Sequence, residues 1–396
     1  MDLKPKVYLS HFQLRNLLAS TSRSSILYAA DSKVIQINPL VDQRLVRMDL
    51  RSPTIQPPHA QLAFQPIQIS TIAAEHDLVI AGGFYGEYAM TRLDAPPGRR
   101  HIEGLITHDP NPITNHIQIH LSRQSGLPHA AFASNDNGLR VLDCTTNTIA
   151  AQHKFDYAIN CSAISPDHRL RVLVGDTRNV MIVNAEKGEI LQELSGHEDY
   201  GFACAWADNG WHVATGNQDK LIKVWDARMW TDHHGVGRPF KTIAATMAGA
   251  RSLKFSPLGS GKRVLVAGEA TDIVSVIDAE TYNKKQTLDL YGEICGVDFT
   301  PDGGSLFVGL NDPLRGGIVE FEKCGFGNLY RPKEREMCNE ICGHKYGRIM
   351  QEDLDGQLTG LDWKGTDKEI AGHPRSKRTI TYLKRRSARS GLIEPF

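Results

Sequence analysis

Within residues 196–226, GHEDYGFACAWADNGWHVATGNQDKLIKVWD, the side chains of His197, Thr215, Asp219 and Trp225 are of types that could carry chemistry. His197 and Asp219 are catalytic in type, an imidazole able to move a proton beside a carboxylate able to orient it. A second candidate is the pair His116 and His120 in NHIQIHLS. Their spacing suits a helix face, but the alternation of that stretch is a strand's, which puts both on one side of a sheet. A metal face or a solvated strand edge would result, the edge being the commoner case. A third is Cys338, Cys342 and His344 in CNEICGH. That spacing is not a standard zinc pattern and no clear second ligand pair follows it, so no metal is expected there. The chain has no Gly-x-Ser-x-Gly elbow, no phosphate-cradling Gly-Lys-Ser/Thr loop, no His-Glu-x-x-His and no dinucleotide fingerprint. No catalytic residue, metal or cofactor is assigned, and an enzyme is not expected.

The elements that must position His197 and its neighbours read directly from the segment. A Gly-His pair leads into a strand, Asp208-Asn209-Gly210 makes a turn, a second strand follows, Gln218-Asp219-Lys220 turns again, and a third strand ends in Trp225-Asp226. That order is one blade of a β-propeller, and the segment resembles a WD repeat. The resemblance implies a hydrogen-bonded structural tetrad of His197, Thr215, Asp219 and Trp225. The residue types fit it. Trp offers a donor only, Thr both roles, neutral His one of each, and Asp acceptors only. A fully satisfied chain of this kind can be buried, whereas a half-satisfied one costs more than an apolar core.

Weaker copies flank this repeat. ASNDNGLRVLD, VGDTRNVMIVN and AGEATDIVSVID keep the turn and the alternating third strand, with Trp-Asp reduced to Leu142-Asp143, Val183-Asn184 and Ile277-Asp278; VGLNDPLRGGIVEFE is more distant. Ser165-Pro166-Asp167, Ser256-Pro257 and Thr300-Pro301-Asp302-Gly303 supply turns between first and second strands. Third strands centred near Ile35, Tyr88, Val141, Ile182, Val224, Val276 and Val319 give seven blades at WD-type spacing. The fold class expected is all-β, a seven-bladed WD-repeat propeller with a C-terminal extension and a basic tail. Its divisions are 1–322 for the propeller (best repeat 196–228), 323–370 for the extension and 371–396 for a disordered tail. The stretches from Pro96 to His108 and from Trp230 to Pro239 read as exposed loops. Ring closure is expected to place a strand from residues 6–12 beside the last blade, because closure removes exposed edges.

Hydrophobic content of 41% and charged content of 23% are those of an ordinary globular chain. No apolar run is long enough for a helical membrane span, and the first residues lack a signal peptide's apolar stretch. Seven Cys at irregular spacing suit reduced, buried small hydrophobes in a cytoplasmic or nuclear protein. The 45 basic and 45 acidic residues are unevenly spread. Arg375, Lys377, Arg378, Lys384, Arg385, Arg386 and Arg389 crowd residues 371–396, where Glu394 is the lone acid. The first six form two clusters that resemble a bipartite nuclear-import signal; a solvated tail is the plainer reading, and nucleic acid is not the expected partner.

The blocks AINCSAISPDHRLRVLVGD, SGHEDYGFACAWADNGWHVATGNQDKLIKVWDAR and YGEICGVDFTPDGGSLFVGLND are similar to an uncharacterised WD-repeat family of fungi and plants. The resemblance implies a fold and brings no catalytic residues. Within the best repeat, Trp225-Asp226-Ala227-Arg228 also matches the Trp-Asp-x-Arg box of WD proteins that act as substrate receptors of cullin-RING ubiquitin ligases. Asp226 and Arg228 are then candidate adaptor-binding residues, Arg228 projecting from the rim. The function expected is a non-catalytic protein–protein interaction scaffold. The ligase substrate receptor is its alternative, and a metal-dependent hydrolase using the propeller channel is the alternative of another class.

Overall fold

The computed structural model describes residues 6–58, 65–96, 98–312 and 316–323, and the backbone of the strands Arg348–Asp353 and Leu358–Asp362. Seven antiparallel sheets follow one another along the chain, at residues 18–49, 69–105, 114–154, 159–194, 201–244, 250–289 and 293–322, and are numbered here as blades 1 to 7. Their first strands touch in sequence, and the first strand of blade 7, Glu293–Phe299, touches that of blade 1, Leu18–Ser22. The ring is closed, a seven-bladed all-β propeller.

Blade 5 shows why the sequence folds this way. Its first two strands, Gly201–Trp206 and His212–Asn217, are buried on both faces and use small residues, whereas its outer strand, Lys241–Ala244, is largely exposed and polar. Burial on both faces lets each blade share core with both neighbours. Cys161, Val174, Cys204, Trp206 and Trp225 form one core between blades 4 and 5, and Ala203, Ala214, Leu253, Leu265 and Tyr282 form the next, between blades 5 and 6. Cys144, Cys161, Cys204 and Cys295 are buried free thiols. Each of the seven expected strand centres lies in the third strand of its blade, from Ile35 in Lys33–Asn38 to Val319 in Gly317–Glu322.

Two expectations need correction. The N-terminal segment does not pair as a strand with blade 7, whose described sheet holds three strands. It crosses the seam instead. Tyr8 N–H bonds Ala29 O of blade 1, Arg15 Nη1 and Leu17 N–H bond Ile294 O and Cys295 O of blade 7, and Ile72 N–H of blade 2 bonds Asn16 O. Leu14, Arg15 and Leu17 are buried there, which an outer edge strand would not allow. Arg23 of blade 1 adds ion pairs to Glu320 and Glu322 of blade 7. The second correction concerns residues 96–108, which include the strand Ile102–Leu105, the fourth of blade 2. Beyond residue 323, Arg348–Asp353 pairs with the outer strand of blade 6, Lys284–Asp289, and Leu358–Asp362 pairs with Arg348–Asp353.

Candidate functional site

The four residues singled out by type meet in blade 5. His197 precedes its first strand, Thr215 stands on the second, Asp219 is in the following turn and Trp225 is on the third. Trp225 Nε1–H donates to Thr215 Oγ1 at 2.9 Å, His197 Nε2 lies 2.9 Å from the same hydroxyl, and His197 Nδ1 lies 2.8 Å from Asp219 Oδ2. If Nδ1 carries the proton, every donor in the chain points one way, from indole to hydroxyl to imidazole to carboxylate. Asp219 also accepts Glu198 N–H at 3.0 Å and Leu221 N–H at 3.0 Å, so it caps the turn that holds it.

Electrostatics fit a static network. Burial pushes the His197 imidazole below its ordinary value, more than Asp219 beside it pulls it up, so the ring is neutral. For Asp219, burial raises the carboxyl, but hydrogen bonds from His197 and Glu198 N–H win and hold it below the usual carboxylate range. Thr215 and Trp225 are wholly buried and His197 nearly so. No substrate could reach the imidazole without opening the blade.

Asp226 and Arg228 lie at the other end of the same third strand. The Arg228 side chain is 60% exposed and grips Asp226 by a fork, Nε to Oδ1 at 2.9 Å and Nη2 to Oδ2 at 2.7 Å. Its guanidinium also lies 4.9 Å from the centre of the Trp211 ring. Asp226 Oδ1 accepts Arg228 N–H as well, at 2.9 Å. The acid or amide ending the third strand does the same job in other blades. Asp143 caps Thr145 and Thr146, Asn184 caps Glu186 and Lys187, and Asp278 caps Glu280.

The histidine pair that could have made a metal face is placed differently. His116 and His120 share the strand Thr114–Leu121, and each has a buried Nδ1 with no hydrogen-bond partner. Burial, with Arg171 near, pushes His120 down to about 3. Where the first strands converge, Lys254 Nζ sits 3.4 Å from Asp298 Oδ1, and Ser20 N–H bonds Asp298 Oδ2 at 2.8 Å. Asp298 is thus engaged by a cation and a backbone donor. Among the described residues no group of three His, Cys, Asp or Glu is arranged to hold a metal. Cys338, Cys342, His344 and the basic residues Arg375, Lys377, Arg378, Lys384, Arg385 and Arg386 lie outside the described residues.

A site that residue typing missed is in blade 3. Arg140 Nη1 and Nη2 bond Asp136 Oδ1 and Oδ2 at 2.9 and 2.6 Å, and Thr107 Oγ1 donates to Asp136 Oδ2 at 2.7 Å, all buried. Asp136 holds the turn position of Asp219, three residues beyond the last paired residue of the second strand. An Asp four residues before an Arg across that turn is the signal that could have found it.

Known proteins place this architecture. Residues 188–226 match the family model "WD domain, G-beta repeat". An uncharacterised protein of Schizosaccharomyces pombe is 23% identical over 327 residues, covering 76% of this chain and 86% of that protein. The histone acetyltransferase type B subunit 2 of Aspergillus oryzae is 29% identical over 91 residues, and the match spans only 21% of its length. A chain in the crystal structure of a mitotic checkpoint complex superposes with a TM-score of 0.62 at 16% identity, covering 80% of this chain and 89% of that one. The chain is a WD-repeat β-propeller.

Proposed function

We propose that this propeller is a non-catalytic scaffold for protein–protein interaction, and that the tetrad of His197, Thr215, Asp219 and Trp225 is part of its frame. The observation that carries this is the saturation of its most catalytic-looking groups. His197 is buried, and both it and Asp219 spend their hydrogen bonds on their own blade. Large apolar side chains remain exposed at strand ends, Trp211, Met229 and Phe240 among them, as interaction surfaces require. Affinity purification of the tagged full chain with mass spectrometry tests the reading. Stable protein partners are expected, and their absence across growth conditions would overturn it.

A second reading is favoured by the exposure of Arg228. As the arginine of a Trp-Asp-x-Arg box it would make the chain a ligase substrate receptor, Asp226 holding the guanidinium in the plane needed to meet an acceptor on the adaptor. Arg228→Ala should then remove the adaptor from pull-downs without unfolding the propeller. The relative named as a histone acetyltransferase subunit, and a nuclear distribution protein of Coccidioides posadasii that is 30% identical over 152 residues, support a place in the nucleus or cytoplasm. Deleting residues 371–396 and observing where the protein goes tests import by the basic tail.

A further inference from the structure

The first strands of blades 4 and 5 bring two thiols together across their seam. Cys161 stands on Ile159–Ile164 and Cys204 on Gly201–Trp206. Cys161 Sγ lies 3.8 Å from Cys204 O, and Cys204 Sγ leans back to within 3.9 Å of Val172 O in blade 4. The two thiols hydrogen-bond one another, and His116, on the first strand of blade 3, hydrogen-bonds Cys161 from the other neighbouring blade. Both sulfurs sit one layer behind the inner surface of the ring. Cys161 and Cys204 are 4% and 6% exposed, and Lys254, whose side chain is 48% exposed on that surface, is near enough to feel the Cys161 charge.

The two sulfurs are not equivalent. The hydrogen bond from Cys204, with the His116 imidazole beside it, holds the Cys161 thiol below the ordinary range against the effect of burial. Burial pushes Cys204 above that range. One sulfur is thus poised to attack as a thiolate and its neighbour to follow as a thiol. Cys144 and Cys295 are placed otherwise. Burial pushes each up to about 12, and their sulfurs face the carbonyls of Leu142 and Glu293.

We propose that Cys161 and Cys204 form a reversible disulfide, a peroxide-driven lock across the seam between blades 4 and 5. His116 takes the Cys161 proton, and the thiolate sulfur attacks one oxygen of hydrogen peroxide. The O–O bond breaks, the leaving hydroxide takes the proton back from the imidazolium as water, and Cys161 becomes a sulfenic acid. The Cys204 sulfur then attacks the Cys161 sulfur. The S–O bond breaks, and hydroxide leaves with the Cys204 proton as a second water. Two thiols and one peroxide give one disulfide and two waters, with two electrons passing from the sulfurs to the peroxide. The first strands of the two blades already touch, as a bridge requires. The bond ties positions 43 residues apart and so constrains the unfolded chain, which makes the oxidised protein the more stable form. The lock does not depend on which partner the scaffold holds.

The test uses the reduced full chain, exposed to hydrogen peroxide at neutral pH, quenched by alkylation and digested without reductant for mass spectrometry. A linked Cys161–Cys204 peptide should appear about tenfold or more faster than oxidation of Cys144 or Cys295, and should vanish on adding dithiothreitol. The oxidised chain should melt at a higher temperature than the reduced one. Cys204→Ser should leave Cys161 as a sulfenic acid that a dimedone probe captures, and His116→Gln should slow its formation about tenfold. The linked peptide is read on the wild-type chain, so the outcome does not hang on the folding of a variant. Linkage that appears only in urea, equal oxidation of Cys144 and Cys295, or pairing of Cys161 with another cysteine overturns the proposal. An oxidised chain that melts no higher than the reduced one contradicts the lock.

Discussion

Blades 3 and 5 hold the same turn with different chemistry. In blade 5 the turn acid, Asp219, is met by a neutral imidazole that passes the chain on to Thr215 and Trp225. In blade 3 the equivalent Asp136 is met by a guanidinium, Arg140, and a hydroxyl, Thr107. Both acids cap the backbone N–H two residues on, Leu221 in one and Gly138 in the other. Blades 4 and 6 do this with Thr177 and Thr271, capping Asn179 and Ile273. The turn requires an acceptor at that point, and the group that holds the acceptor can vary. A His–Asp pair here is therefore one of several ways to pin a turn, which is why its catalytic appearance misleads.

The comparison can be broken in several ways, and the largest effect belongs to blade 3. Asp136→Ala leaves Arg140 as an unpaired buried charge and should cost about 3–5 kcal/mol, with Asp136→Ala/Arg140→Leu recovering much of it. Urea unfolding of the two variants decides this. A single variant that loses no more than a surface substitution would show that the pair is not buried in solution. Acid probes both blades together. Both aspartates have folded pKa values below their unfolded ones: burial raises each, but Arg140 and Thr107 in blade 3, and His197 and the turn N–H groups in blade 5, more than offset it. Their stabilisation is present above the unfolded carboxylate value and is lost as pH falls toward the folded one. His197 is depressed from 6.5, so the unfolded chain takes up a proton that the folded chain refuses, and stability should already decline as pH drops through that value. Melting midpoints from pH 8 to pH 3 should fall in two stages, and a flat profile between pH 7 and 5 would speak against a neutral buried His197.

Trp225→Phe keeps the ring's apolar body but removes the indole donor to Thr215 and leaves some space. It should cost about 1–2 kcal/mol by thermal or urea unfolding. The smallest effect expected is that of Arg228→Ala, within about ±0.5 kcal/mol, because both its partners, Asp226 and Trp211, are at the surface. A drop of several degrees in the melting midpoint would mean that Arg228 belongs to the frame, and would remove the reason to read it as an adaptor contact.

The frame was legible because third strands alternate and end in an acid or amide that caps the next turn, so Leu142-Asp143 and Ile277-Asp278 remained readable after the tryptophan was lost. Blade 5 was the clearest because it alone keeps all four tetrad types. Blade 3's pin was not legible, since Arg140 on a strand looks like an exposed charge until its neighbours across the seam bury it. Nor was the path of the N-terminal segment. Strand character in residues 6–12 is local, but its destination is fixed by the burial of Arg15 and Leu17 against a blade almost 280 residues away in sequence.

The central claim, that the His–Asp chemistry of blade 5 belongs to the frame, is tested most directly by Asp219→Ala, with unfolding and partner capture measured on the same preparations. Removing the carboxylate leaves the His197 donor and two turn N–H groups unpaired, which predicts a loss of about 1–3 kcal/mol. Below the lowered melting point, affinity purification should return the wild-type partners. An unchanged midpoint with those partners gone would contradict the account and make Asp219 a binding residue.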